Sequence, residues 1–84
     1  MSKYRPLGVY LAGIPTGTHE VTLTFERIEK IIKDNLPASA RRYHAWWSNE
    51  IQGSHVQAHS WMDSGWVVET LNIQDKWVRF RRKE

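Results

Sequence analysis

Residues 20–35, EVTLTFERIEKIIKDN, change their hydrophobic period in mid-course. Val21, Leu23 and Phe25 alternate with Thr22 and Thr24, the period of two of a half-buried strand. From Phe25 onward the period lengthens: Phe25, Ile28, Ile31 and Ile32 fall on one helical face, and Arg27, Glu29, Lys30 and Lys33 lie mostly opposite. Thr24 stands at the junction as an N-cap, and Glu26 sets a carboxylate in the first turn where the helix dipole favours it. A strand that runs directly into an amphipathic helix places the chain in the α+β class.

The flanking sequence extends this pattern. Pro6 and Leu7 can open a first helix, with Leu7, Tyr10 and Leu11 at helical spacing until Gly13 and Pro15 end it. Leu36-Pro37 breaks the second helix and restarts the chain. Ser39 is then the expected cap of a third helix over 39–49, and the loop NEIQG follows. Ser54 and Gln57 have capping-box spacing for a fourth helix, in which Ala58, Trp61 and Met62 form the apolar face and Gly65 the stop. Residues 66–71 and 76–81 are rich in strand formers, with a turn over 72–75, and read as a β-hairpin. The expected order is therefore α-β-α-α-α-β-β. With a C-terminal hairpin this is the element order of a small winged-helix-like domain, an analogy from order and not from a motif.

Length allows one domain, 1–84. There is no cysteine, which excludes disulfides and thiolate metal sites and suits a cytoplasmic protein. The start, MSKYRPLGVYLAG, lacks the apolar run of a signal peptide, and no stretch approaches a membrane span. The net charge is +3, but residues 76–84, KWVRFRRKE, concentrate five basic groups against one acid. Arg41 and Arg42 form a second basic point. Such asymmetry suits an anionic partner; a solubilising basic tail is the alternative.

Five tryptophans in 84 residues can serve a core or a binding surface. Trp46 and Trp47 are adjacent, and in a helix they point about 100° apart, so both cannot face one core. Helical projection groups Trp47 with Ala40, Tyr43 and His44 as the core face. Trp46 then falls on the surface beside Arg42, where it can stack on a base or a partner; packing beneath another segment is the alternative. In the last strand Val78 and Phe80 share one face, and Trp77, Arg79 and Arg81 share the other. Alternating aromatic and cationic groups fit a nucleic-acid backbone and its bases, or else arginines guarding an edge strand against aggregation.

His55, His59 and Asp63 lie at successive helical turns, a spacing compatible with metal ligands. The intervening residues are VQA, without the glutamate of the HExxH pattern, and His44 and His19 are the only other imidazoles. The favoured reading has His55 satisfying a backbone group and His59 exposed, with no metal and no cofactor. No phosphate-binding glycine loop, nucleophile elbow or paired-carboxylate motif is present, so no catalytic residue is assigned and no enzyme activity is expected.

The combination LPASAR at 36–41, AWWSN at 45–49, SHVQAHSW at 54–61, GWVVE at 65–69 and VRFRR at 78–82 resembles a small uncharacterised bacterial domain family. Its signatures are of the form LPxSAR, WWxN, HxQAxxW, GWxV and FxR. The resemblance covers roughly residues 4–82. It implies no established activity, and a bacterial and mobile-element context weakly favours a DNA-related role.

The expected function is thus a nucleic-acid-binding module, for double-stranded DNA, acting in regulation or beside a DNA-processing system. Arg41, Arg42, Arg79, Arg81, Arg82 and Lys83 would contact phosphate; Trp46, Asn49 and Gln57 would reach bases or sugars, Trp77 would stack, and the hairpin would be the wing. The alternative is a protein-interaction module, such as a mobile-element inhibitor of a host nucleic-acid-targeting complex. In it Trp46 and Trp77 are anchors, or the WW helix forms a homodimer.

Overall fold

A computed structural model describes residues 2–50 and 56–83 of the chain. Among these residues it has helices α1 (Arg5–Ala12), α2 (Phe25–Ile32), α3 (Ala38–Arg42) and α4 (Val56–Met62), and strands β1 (Glu20–Thr24), β2 (Trp66–Asn72) and β3 (Trp77–Arg82). The order is the expected one. The strands form one antiparallel sheet in the order β1-β3-β2.

The junction between β1 and α2 forms as the residue types require. Thr24 is extended, and its Oγ1 accepts the Arg27 N–H at 3.0 Å, satisfying a donor that the first helical turn leaves free. Lys33 ends α2 in the left-handed region. Asn72 closes the β2–β3 turn by accepting the Asp75 N–H at 2.8 Å. Ser54 and the N-terminal side of its capping box lie outside the described residues.

One expected element divides. The helix predicted over 39–49 is α3 followed by a 3-10 turn, His44–Trp47, with Tyr43 extended between them. Pro37, not Ser39, occupies the N-cap position of α3, and no side chain caps it. The break resolves the conflict of the adjacent tryptophans. The Ala40 carbonyl accepts the Trp47 indole N–H at 2.9 Å, which swings the Trp47 ring into the core. Tyr43 and His44, expected on the core face, are exposed instead because the backbone has turned away from helical projection before reaching them.

The helices gather on one side of the sheet around Leu7, Leu11, Phe25, Ile28, Trp47, Trp61, Trp66, Val78 and Phe80, all essentially inaccessible to solvent. An aromatic series crosses this core. Phe25 stacks on Trp47 at 5.3 Å between centroids, Trp47 on Trp61 at 6.0 Å, and Trp61 meets Phe80 at 5.7 Å. Each buried indole N–H has an acceptor: Ala40 O for Trp47, Asn49 Oδ1 for Trp61 and Leu11 O for Trp66. Large rings thus fill a small interior without stranding a donor.

Candidate nucleic-acid interface

Register decides which residues form the other face of the sheet. Directly opposed residues on neighbouring strands share a face, and β3 is the middle strand. Trp77 lies between Thr24 and Asn72, Arg79 between Thr22 and Thr70, and Arg81 between Glu20 and Val67. Val78 and Phe80, between these, point into the core. The division of β3 into an apolar inner face and a Trp-Arg-Arg outer face is as the alternation predicts. The edge-strand explanation for the arginines is excluded, because β3 is hydrogen-bonded on both sides.

On this outer face the Arg79 guanidinium lies 5.3 Å from the Trp77 ring centre, and its Nε donates to Thr22 Oγ1 at 3.2 Å. Among the described residues no carboxylate pairs with Arg79. Arg81 differs: its Nε meets Glu69 Oε2 at 3.2 Å, and its Nη1 donates to the Arg82 carbonyl. Glu69 reaches it because β2 carries a register irregularity between Val68 and Thr70. Trp77 is half-buried and stands apart from the core cluster.

The other residues singled out from sequence divide by what they touch. Arg42 and Lys83 are exposed. Arg41 donates to Glu29 Oε2 at 2.7 Å, and the same oxygen accepts the Leu36 N–H at 2.7 Å. That backbone bond first, and then Arg41, hold the Glu29 carboxyl below its ordinary value of 4.5. A concavity of about 400 Å³ lies between α2, α3 and the β2–β3 turn, where Arg41 and Lys76 face Glu26, Glu29 and Asp75; this charge balance does not suit phosphate.

Trp46, expected at the surface, packs edge-on against Tyr4 at 5.5 Å and Trp47 at 4.7 Å, so most of its ring serves the core. Gln57 is buried, and its amide donates to the Trp46 carbonyl at 2.9 Å. Asn49 is committed three ways: its Nδ2 donates to Val68 O at 2.9 Å, and its Oδ1 accepts Val68 N–H at 2.8 Å and the Trp61 indole at 3.0 Å. Arg82 faces the inner layer. Its guanidinium donates to the carbonyls of Ile14, Pro15 and Thr18 at 2.7–2.8 Å and lies 4.4 Å from the Trp66 ring centre. These four side chains hold the fold together and have little left for a ligand.

The exposed positions of α4 are Val56 and His59, Asp63 is exposed just past its end, and the helix has no Lys or Arg over Val56–Met62. His59 Nδ1 pairs with Asp63 Oδ2 at 3.1 Å, and His55 lies outside the described residues. Among the described residues no cluster of three or more His, Asp or Glu could hold a metal, and no helix is long and apolar enough to cross a membrane. Sequence reasoning missed Thr22, Thr70 and Asn72 as flanks of the Trp-Arg stripe. Alternation showed that Thr22 faces away from the core, but not which strand lies beside β3.

No curated protein and no solved structure matches the chain. A family profile, a domain of unknown function (DUF7662), matches residues 4–83, nearly the whole length. The chain belongs to the family described as Domain of unknown function (DUF7662).

Proposed function

We propose that this domain binds nucleic acid on the outer face of its sheet, with Trp77 as the stacking platform and Arg79 as the principal phosphate contact. The observation that carries this reading is the Trp77–Arg79 pair on the outward side of the central strand. An indole on the middle strand, flanked by Thr24 and Asn72, can stack on an unpaired base, a contact worth about 1–3 kcal/mol. A guanidinium without a carboxylate partner can meet the backbone beside it.

The strand rather than the duplex is the favoured form. A winged helix reads duplex DNA by laying a helix in the major groove, and α4, which holds that position in the order, has no Lys or Arg among its described residues and is followed directly by Asp63. Trp77 can stack only on a base already out of its duplex. The cations of the face that form no ion pair among the described residues are Arg79 and Lys83, since Arg81 is paired with Glu69 and Lys76 lines the concavity that holds Glu26, Glu29 and Asp75. Two phosphate contacts give a shallow salt dependence, a log-log slope of about −1.4 for a single strand.

Fluorescence anisotropy with labelled single-stranded DNA, RNA and duplex tests this. Single strands bind more tightly than duplex, and Trp77→Ala and Arg79→Ala each weaken binding by about tenfold or more. Absence of binding at low salt, or affinity indifferent to Trp77→Ala, overturns it.

A second reading, a protein-interaction module, is favoured by the groove of about 410 Å³ between α1 and α4, where Val9 and Val56 are each more than half exposed. A partner there leaves the sheet face free, so loss of a partner on Val9→Asp with nucleic-acid affinity intact distinguishes the two.

A further inference from the structure

The order β1-β3-β2 leaves the sheet two edges, and the chain treats them differently. On β2 the ladder is interrupted between Val68 and Thr70, and the Asn49 amide occupies both the N–H and the C=O of Val68. A bulge and a plug of this kind prevent a further strand from adding. On β1 the register with β3 is unbroken from Glu20 to Thr24. The bonds from Phe25 N–H to Lys76 O and from Arg82 N–H to His19 O fix the odd-numbered residues of β1 as those facing β3. The N–H and C=O of Glu20 and Thr22, and the N–H of Thr24, therefore point away from the sheet. Among the described residues no group is hydrogen-bonded to them, and all three side chains are exposed. The strand has no proline, lysine or bulge to blunt this edge.

We propose that the free edge of β1 pairs with β1 of a second copy of this chain, antiparallel about a two-fold axis at Thr22, to give a continuous six-stranded sheet. The sequence EVTLT is self-complementary in that register. Thr22 lies opposite the partner's Thr22, Glu20 opposite the partner's Thr24, and Val21 opposite the partner's Leu23. Threonine meets threonine on the outer face, apolar residues meet on the helix side, and no like charges face each other. The free N–H of Thr22 reaches the partner's Thr22 carbonyl and the reverse, and the Thr24 N–H reaches the partner's Glu20 carbonyl and the reverse. Parallel pairing instead sets Glu20 beside the partner's Glu20, which is why the antiparallel two-fold is the arrangement. Closure about a two-fold consumes the β1 edge of both copies, and the β2 edges that remain at the ends carry the bulge and the Asn49 plug, so the assembly stops at two copies. The interface is unrelated to the paired tryptophans and does not depend on nucleic-acid binding. It sets the two Trp77–Arg79 stripes three strand spacings apart, about 14 Å, on one face.

Sedimentation velocity of the full chain over a wide concentration range tests the pairing, with circular dichroism on each sample. The wild type forms a concentration-dependent dimer. Thr22→Pro removes the edge N–H at the axis without touching the β3 ladder, and Thr22→Lys leaves the backbone intact but opposes two cations at the axis. Each variant weakens the dimer at least tenfold while retaining the wild-type spectrum; if the proline variant does not fold, the lysine variant decides. The chain has no cysteine, so Thr22→Cys supplies a single thiol that crosslinks to its twin on mild oxidation. A wild type that stays monomeric throughout overturns the proposal. So does a dimer that Thr22→Lys leaves equally tight, or a β1 edge that pairs only with a different protein.

Discussion

Arg79 and Arg82 stand three positions apart on one strand and face opposite layers of the molecule. Arg79 rests on a half-buried ring and a hydroxyl, whereas Arg82 binds three loop carbonyls and lies against a buried indole. Arg82→Ala orphans those carbonyls and is expected to cost about 2–4 kcal/mol of stability. Arg79→Ala is expected to change stability by less than about 0.5 kcal/mol while weakening nucleic-acid binding. Thermal melts beside anisotropy titrations check the contrast. Glu29 supplies a pH signal. Its carboxyl titrates below 4.5 when folded because the Leu36 N–H and Arg41 favour the anion, so its contribution is complete above the unfolded value and is lost as pH falls through the folded one. Glu29→Gln should cost about 1 kcal/mol at neutral pH, and its melting temperature should converge on that of the wild type as the pH falls below 4.5. Parallel loss of the two curves without convergence refutes the assignment.

At the scale of elements, short pieces are held by contacts the helical or strand period does not reveal. α1 and α4 cross at Gly8, which is buried; a Cβ there would come within 2.6 Å of the Ser60 carbonyl oxygen and 3.1 Å of Ser64 Oγ. The Ser64 hydroxyl also donates to the Gly8 carbonyl at 2.9 Å. Alanine is the better helix former by about 1 kcal/mol, but the clash is with backbone and cannot be relieved by a rotamer. Gly8→Ala is therefore expected to destabilise by about 1–3 kcal/mol net, a melting-temperature loss that calorimetry would detect. A gain in stability would mean that the two helices can separate freely. The same scale explains why β1, α2 and the hairpin were legible in the sequence: each is long enough for its period to show, and Thr24 marks a boundary chemically. The break after α3 was not legible, because it exists to place the Trp47 indole on the Ala40 carbonyl.

For the molecule as a whole, one layer of helices covers one face of a three-stranded sheet, and the Trp-Arg stripe lies on the other face, which the described residues leave uncovered. This arrangement separates stability from the proposed function along a single strand. It also assigns roles to the motifs that carry the family resemblance. Ala40, Trp47, Asn49, Gln57, Trp61, Trp66 and Arg82 are core residues or satisfy core polar groups, whereas Trp77 lies outside those motifs and Arg79 is not a fixed position of the FxR signature. Those motifs are in this chain a signature of the fold.

Local periodicity in the sequence alone determined the α+β class, the element order and the inward side of β1 and β3, because burial of apolar residues selects the period within a single segment. The tertiary structure decided which polar residues are spent. Asn49, Gln57 and Arg82 look like ligand-binding groups in a linear chain, and only folding brings Val68, Trp46 and the Ile14–Thr18 carbonyls to within hydrogen-bond distance of them. Long-range contact, unlike periodicity, leaves no mark on neighbouring residues, so Arg79, which bonds a hydroxyl, could be told from Arg82, which bonds three carbonyls, only in three dimensions.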